Sequence, residues 1–219
     1  SPEVILDDPI FNKFVGEFLG PRLRLVPLYS SLPDCPVHVF SAFLINRIDR
    51  RPLVSCGAAA GLDPQHTLYR AIAESSATGI LSLYAPIYLP EVCKIQAGEV
   101  IGDLDRNVSL FASPTQREKK ELAVNKIKKG TKSLFSLPNL SRESPRENLG
   151  FLIKALKKVS EWTVFLDITP PEVSNLGYRV VRVFAPELLP LCLPSLPPDR
   201  HPRMMKYGGV KNRIPHPMP

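Results

Sequence analysis

Arg70 and Glu74 stand four residues apart in a stretch otherwise dominated by small side chains, Arg70-Ala71-Ile72-Ala73-Glu74-Ser75-Ser76-Ala77. On a helix that spacing puts both charges on one face. Arginine ahead of glutamate is the weaker order for a helical ion pair, and at a surface such a pair contributes only a few tenths of a kcal/mol. The pair reads either as a modest surface bridge or as the charged part of a polar site. A second candidate is the chain end, Pro215-His216-Pro217-Met218-Pro219. Each proline fixes φ near about −65° and removes a backbone donor, which excludes helix and favours an extended strip. Such an end either frays or settles into a groove at little entropic cost. His216 within it is able to give or take a proton near neutral pH.

The elements that must position these groups are legible in order. Asp8 to Leu19 reads as an amphipathic helix with Ile10, Phe11, Phe14, Val15 and Phe18 on one side, stopped by Gly20-Pro21. Leu23 to Leu28 alternates as a strand, and Val37 to Ile45 is a longer apolar run of the kind covered on both faces. His38 within that run reads as a core or edge histidine. Leu53 to Cys56 returns as a short strand, making a hairpin with it. The small-residue segment Gly57-Ala58-Ala59-Ala60-Gly61 then lets backbone approach backbone or a ligand closely. Asp63-Pro64 is a cap followed by proline at the first helical position. The helix it opens runs to about Tyr84, with Leu68, Ala71, Ile72 and Ser75 as its narrow inner side and Ala73, Ser76 and Ala77 allowing tight packing.

Residues 85–113 show turns and little pattern. Pro114-Thr115-Gln116 opens a charged helix ended by Gly130, and residues 131–145 read as a loop. Glu147 to Glu161 is helical by the spacing of Leu149, Leu152, Ile153, Leu156 and Val159. Trp162 to Ile168 and Arg179 to Phe184 are strands. After Pro186 the chain is proline-rich, basic and without periodicity. Helices and strands thus alternate around one mixed sheet, an α/β (α+β) fold, with residues 1–190 as the domain and 191–219 as a proline-rich basic tail.

Composition narrows the function classes. The 219 residues are enough for a sizeable core, and 44% hydrophobic with 22% charged residues is ordinary for a globular chain. The 24 prolines are roughly twice usual usage. No apolar run reaches the ~20 residues of a membrane helix, and Ser1 to Phe14 does not resemble a secretory signal. Cys35, Cys56, Cys93 and Cys192 are widely spaced, which argues against structural zinc and for reduced thiols in a cytoplasmic protein. The net charge of +7 favours acidic partners. Its lysines, between Lys119 and Lys132 and at Lys154, Lys157 and Lys158, sit at the spacing of solvated helix faces without interleaved aromatics, so nucleic acid is not the expected partner. No Walker loop, GxGxxG, GxSxG or HExxH occurs.

Three stretches together resemble the YcaO family. Cys56-Gly57-Ala58-Ala59-Ala60-Gly61-Leu62-Asp63-Pro64 leading to Arg70-Ala71 and Glu74 is similar to that family's small-residue loop and Arg-Ala-x-x-Glu helix. Asp167-Ile168-Thr169, then Gly177 to Val183, then Pro186-Glu187-Leu188 resemble its Asp-x-Thr, Gly-x-x-Val-Val-Arg-Val and Pro-Glu-Leu segments. The ending Pro215, Pro217, Pro219 resembles the Pro-x-Pro-x-Pro terminus of azoline-forming members.

The resemblance implies an enzyme that uses ATP and Mg²⁺ to cyclise Cys, Ser or Thr of a ribosomal precursor peptide to thiazoline or oxazoline. The side chain attacks the preceding amide carbonyl, the former amide oxygen is phosphorylated, and phosphate departs. By position in the motif, Arg70 contacts nucleotide phosphate, Glu74 holds Mg²⁺ directly or through water, and Pro215, Pro217 and Pro219 bring the chain end to the catalytic centre. The implied partners are the precursor peptide and a leader-binding, ThiF-like protein.

The family's domain is about twice this long. Its Glu-x-x-Glu-Arg stretch has no counterpart, and Ala77 and Gly79 stand where members often carry Gln and Arg. The sequence thus resembles the C-terminal half of that domain, whether as a fragment, one chain of a split enzyme or a truncation, and a complementing N-terminal YcaO half is a candidate partner. Thioamide or amidine formation is the alternative within the family. An inactive docking scaffold is the alternative outside it, with Pro194-Ser195-Leu196-Pro197-Pro198-Asp199-Arg200 resembling a proline ligand for aromatic grooves.

Overall fold

The long apolar run forms a strand, His38–Asn46, buried along almost its whole length, as a strand covered on both faces must be. It lies within a five-stranded sheet in a computed structural model that describes residues 1–95 and 99–210. The strands are β1 (Glu3–Ile5), β2 (Leu23–Tyr29), β3 (His38–Asn46), β4 (Val54–Gly61) and β5 (Thr131–Ser133), in the order β4-β3-β2-β1-β5. Neighbours are antiparallel except β1 and β5, which run parallel. The fold is the expected mixed α/β type.

Alternation along β3 divides its side chains between two cores. Phe40 and Ala42, with Ala59 of β4, pack against Val15 of α1 (Pro9–Leu19) and Leu68, Ala71 and Ile72 of α2 (Pro64–Tyr88). Phe43 and Ile45, with Val54 and Cys56, meet Phe111 of α3 (Leu104–Ala112) and Val124 of α4 (Arg117–Ile127). His38 is a core histidine, 2% exposed, between the Tyr29 hydroxyl at 3.2 Å and the Pro138 carbonyl at 2.8 Å. None of the four cysteines forms a disulfide, and no helix among the described residues is long and apolar enough to cross a membrane.

The stop signals at Gly20 and Gly130 act as read, and two helix starts add caps not anticipated from the sequence. Asp8 caps α1 by accepting from the backbone N–H groups of Ile10 and Phe11, and Gly20 ends it at φ 65°. Of the expected apolar face of α1 only Val15 is buried, while Ile10, Phe14 and Phe18 stay exposed. Gly130, after α4, has φ 72°. Ser144 and Glu147 form a capping box that opens α5 (Pro145–Leu156). That helix ends at Leu156, short of Glu161, and Leu149, Leu152 and Ile153 are exposed on it.

Tertiary contacts change other readings. The segment after Cys56 is not a loop, because β4 continues through Gly61 in register with β3. The helix α2 runs on past Tyr84 despite Pro86, which has no N–H to give the Ser82 carbonyl. The Arg51 guanidinium donates to that carbonyl instead, at 3.3 Å. Asp103 caps an unanticipated helix, α3, by accepting from the Arg106 N–H. Residues 131–133 are a strand because β1 supplies their partners. The last two strands do not join the main sheet. β6 (Val164–Asp167) and β7 (Val181–Phe184), separated by α6 (Pro171–Asn175), form a two-stranded antiparallel hairpin of their own. All eight of their residues are exposed. Beyond Pro186 the chain is not wholly irregular, since Pro202–Lys206 forms α7.

Candidate active site

The site is built on the contact between β4 and α2. A Cβ on Gly57 would lie 2.4 Å from the Ser75 nitrogen, 2.5 Å from the Ala71 oxygen and 2.8 Å from the Glu74 Cβ. Backbone therefore meets backbone here, a distance no residue with a side chain permits. The glycine is what brings the helix down, whereas Ala77, expected to help it pack, is exposed. The inner side of α2 is buried as anticipated at Leu68, Ala71, Ile72 and Ser75. Ser75 also shares a buried hydroxyl contact of 3.3 Å with Ser55.

The start of α2 is fixed by Asp63. Its Oδ1 accepts from the His66 N–H at 2.8 Å, its Oδ2 accepts from the Asn139 amide at 2.8 Å, and its carbonyl accepts from the Thr67 hydroxyl. A Cβ on Gly61 would fall 2.4 Å from that Thr67 oxygen. Helix register relative to the sheet is thereby set at both ends of the small-residue strand.

Arg70 and Glu74 project from this fixed helix and are exposed. They form no ion pair with each other. Glu74 instead turns back to β4, where its Oε2 accepts from the Ala58 N–H at 2.8 Å. Since β4 is an edge strand, the carboxylate caps a backbone donor that no neighbouring strand takes. Arg70 makes no hydrogen bond or ion pair among the described residues. One cation without a protein partner and one carboxylate with its second oxygen unspent fit part of a metal–phosphate group. Among the described residues no cluster of three or more His, Cys, Asp or Glu is placed to hold a metal ion. Glu74 would be a minority of any such ion's ligands. Pro215, His216, Pro217 and Pro219 lie outside the described residues.

Because Glu74 has a structural duty, its two simplest variants should separate. Glu74→Ala leaves the Ala58 N–H without its carboxylate partner and is expected to cost about 1 kcal/mol, below the ~1.5–3 kcal/mol of a charged hydrogen bond because the site is exposed. At this size that is about 2–4 °C in melting temperature. Glu74→Gln retains an acceptor oxygen and should melt close to the parent in a calorimetric scan.

Sequence reasoning missed one constellation. Asp34, in the turn between β2 and β3, takes the Arg203 guanidinium at 2.7 Å and the Lys206 ammonium at 3.5 Å. His201-Pro202 carried the signal, a cap before proline, and Arg203, Lys206 and Tyr207 follow at helical spacing. The segment around Pro194 to Arg200 is not an extended proline ligand either. Leu193 and Leu196 bridge each other, and Ser195 exchanges two hydrogen bonds with the backbone of Ile101.

A family profile described as YcaO cyclodehydratase, ATP- and Mg²⁺-binding, matches residues 1–189. The chain belongs to the YcaO family. ATP and Mg²⁺ are accordingly the cofactors of its family. Solved structures share the YcaO fold at low identity. YcaO from Methanopyrus kandleri, bound with AMPPCP and Mg²⁺, has a TM-score of 0.52 at 20% identity, over 84% of this chain and 44% of that one. A heterocyclase in complex with substrate and cofactor has a TM-score of 0.62 at 16% identity, over 99% and 28%. The E. coli microcin synthetase McbBCD complex with bound pro-MccB17 gives 0.56 at 14% identity, over 100% and 54%. This YcaO chain thus spans about a quarter to a half of the length of these proteins. No curated protein sequence matches it.

Proposed function

We propose that this chain is part of an ATP-dependent cyclodehydratase that converts Cys, Ser or Thr of a ribosomal precursor peptide to thiazoline or oxazoline within a cytoplasmic modification complex. The observation that carries the reading is the YcaO match over residues 1–189. The Arg-Ala-x-x-Glu helix supports it, with Arg70 and one Glu74 oxygen unpartnered among the described residues. In the reaction a new S–C or O–C bond forms to the amide carbon, the amide C–N bond becomes C=N as the nucleophile's proton and the amide N–H proton are lost, and the former amide oxygen departs in the phosphate. Bound ATP with Mg²⁺ supplies the phosphoryl group that makes this oxygen a leaving group. Arg70 would hold nucleotide phosphate and Glu74 the metal, through the oxygen not used on Ala58. Pro215, Pro217 and Pro219 would deliver the chain end to the peptide, with residues 1–190 as the domain and 191–219 as its tail.

A solitary carboxylate supports a complementing N-terminal YcaO half as partner. So does the β6–β7 hairpin, where Val164, Phe165, Leu166, Val181, Val183 and Phe184 are all exposed; two strands alone are marginally stable in water. The precursor peptide and a ThiF-like leader-binding protein complete the assembly. The experiment is titration calorimetry with MgATP, on this chain alone and with an N-terminal YcaO segment supplied. Binding should be weak or absent alone and appear in the mixture. Arg70→Ala should weaken it about tenfold or more, as expected for loss of a charged hydrogen bond. Unchanged nucleotide binding and turnover in that variant would remove Arg70 from the site. A second reading, an inactive docking scaffold, is favoured by the same solitary carboxylate among the described residues, and absence of MgATP binding both with and without the added segment would support it.

A further inference from the structure

The outer edge of β4 carries open backbone groups beside the two charged residues of the candidate site. β3 and β4 pair so that the Asn46 N–H donates to the Leu53 carbonyl at 2.8 Å, with Val39 opposite Ala60 and Ser41 opposite Ala58. Val39 spends its carbonyl on the other side of β3, accepting from the Ser30 N–H at 2.7 Å. Bonded and non-bonded pairs alternate along an antiparallel ladder, so Ala58, Ala60 and Leu62 turn their N–H and C=O groups away from β3. Two of these groups are taken. The Ala58 N–H donates to Glu74, and the Leu62 carbonyl accepts from the Leu140 N–H at 2.9 Å. Among the described residues nothing bonds the Ala58 carbonyl or the N–H and carbonyl of Ala60, and Ala60 is exposed. Helix α2 runs back along this edge, with Thr67 against Gly61 and Ala71 to Ser75 against Gly57. Arg70, one turn before Glu74, is thereby level with the middle of the open stretch.

We infer that this edge binds the reacting segment of the precursor peptide as an added antiparallel strand, which rests on the function proposed above. A single extended residue opposite Ala60 accepts from its N–H and donates to its carbonyl. The peptide residue two further along then lies opposite Ala58, where its N–H reaches the Ala58 carbonyl. Its own carbonyl meets no sheet donor, because Glu74 already holds the Ala58 N–H. That carbonyl is left beside the carboxylate assigned to Mg²⁺, with Arg70 one helical turn away, and its oxygen is the one that must leave. The reacting Cys, Ser or Thr comes next, three residues after the one paired with Ala60. The stretch from Ala58 to Leu62 is only about 13 Å long and is closed at its ends by Glu74 and Leu140. Such a slot suits a short substrate that comes and goes better than a strand of a permanent partner. Alanine at 58 and 60 forms no side-chain pocket, so recognition rests on the peptide backbone and leaves its side chains free to vary.

The test uses the assembled enzyme and Cys-containing precursor peptides N-methylated at one backbone position at a time. Methylation three residues before the Cys removes the N–H given to Ala60 and should lower kcat/KM about three- to tenfold, the scale of one hydrogen bond. Methylation two or four residues before the Cys, where the N–H points away from β4, should leave kcat/KM level. Equal effects at all three positions, or at none, would overturn the proposal. Amide exchange over residues 57–62 is followed in parallel, and unmodified peptide should slow it at Ala60. Exchange slowed by the N-terminal YcaO segment alone, with no further change on adding peptide, would give the edge to that segment instead and overturn the proposal. Ala60→Pro removes the outward N–H and leaves the β3 ladder intact. It should lower kcat/KM by a similar factor at level MgATP affinity, and a folded variant with unchanged kcat/KM would count against the edge. If Ala60→Pro does not fold, the peptide series on the unaltered enzyme decides. An assembly that neither binds MgATP nor removes water from the peptide defeats the proposed function. One that does both without protecting Ala60 defeats only the edge inference.

Discussion

Gly57→Ala is expected to lower the melting temperature by about 6–12 °C. The added Cβ would sit 2.4 Å from the Ser75 nitrogen and 2.5 Å from the Ala71 oxygen, and both are backbone atoms that no rotamer change can move. Overpacking of this kind costs typically ~1–3 kcal/mol. The upper end applies because α2 would have to lift from β4 as a body, and at ~2–4 °C per kcal/mol that gives the stated shift. Gly57 does not have positive φ, so alanine meets no backbone strain, and the clash alone sets the sign. Gly150, on α5, is the internal control. A Cβ there meets nothing within 4 Å, and alanine in a helix should stabilise by about 0.5–1 kcal/mol. A calorimetric scan in which Gly57→Ala melts within about two degrees of the parent would refute the packing argument. Function should fall with stability, because the same displacement moves Glu74 away from the Ala58 N–H that steadies it and carries Arg70 along.

Removing Met218 and Pro219 is expected to abolish ring formation while leaving the fold intact. These residues close the Pro-x-Pro-x-Pro motif. An extended proline strip contributes through preorganisation, since little entropy is lost when it docks. On the proposed role truncation removes a prepared contact, while every residue of the two cores, from Val4 to Leu137, is retained. The result to look for is full loss of the one-water mass change on a precursor peptide, with melting temperature and MgATP affinity unchanged. Undiminished product would refute the assigned role of the tail. Together with Arg70→Ala, this truncation separates the two ends of the proposed site, nucleotide use on one side and peptide cyclisation on the other.

Strong local signals settled much of this molecule in advance. Asp8, Asp63 and Ser144 each precede a proline at a helix start, and each caps its helix as that order requires. The apolar run Val37 to Ile45 reads as a strand covered on both faces and forms one, His38–Asn46, and the Arg70–Glu74 spacing placed both charges on one helix face. Tertiary structure decided what local signals leave open. Gly57 to Gly61 has the composition of a loop and becomes a strand because β3 offers it a ladder and α2 needs its bare surface. Residues 131–133 are paired by β1 from the far end of the chain. Glu74 prefers an orphan N–H on a sheet edge to the guanidinium one turn away, a choice invisible without knowing where the sheet ends. Asp34, Arg203 and Tyr207 mean nothing until the fold brings them together across most of the chain's length. Sequence determines short-range capping and periodicity because their partners lie within a few residues. Contacts across the chain depend on which surfaces meet, and only the folded sheet and its helices specify that.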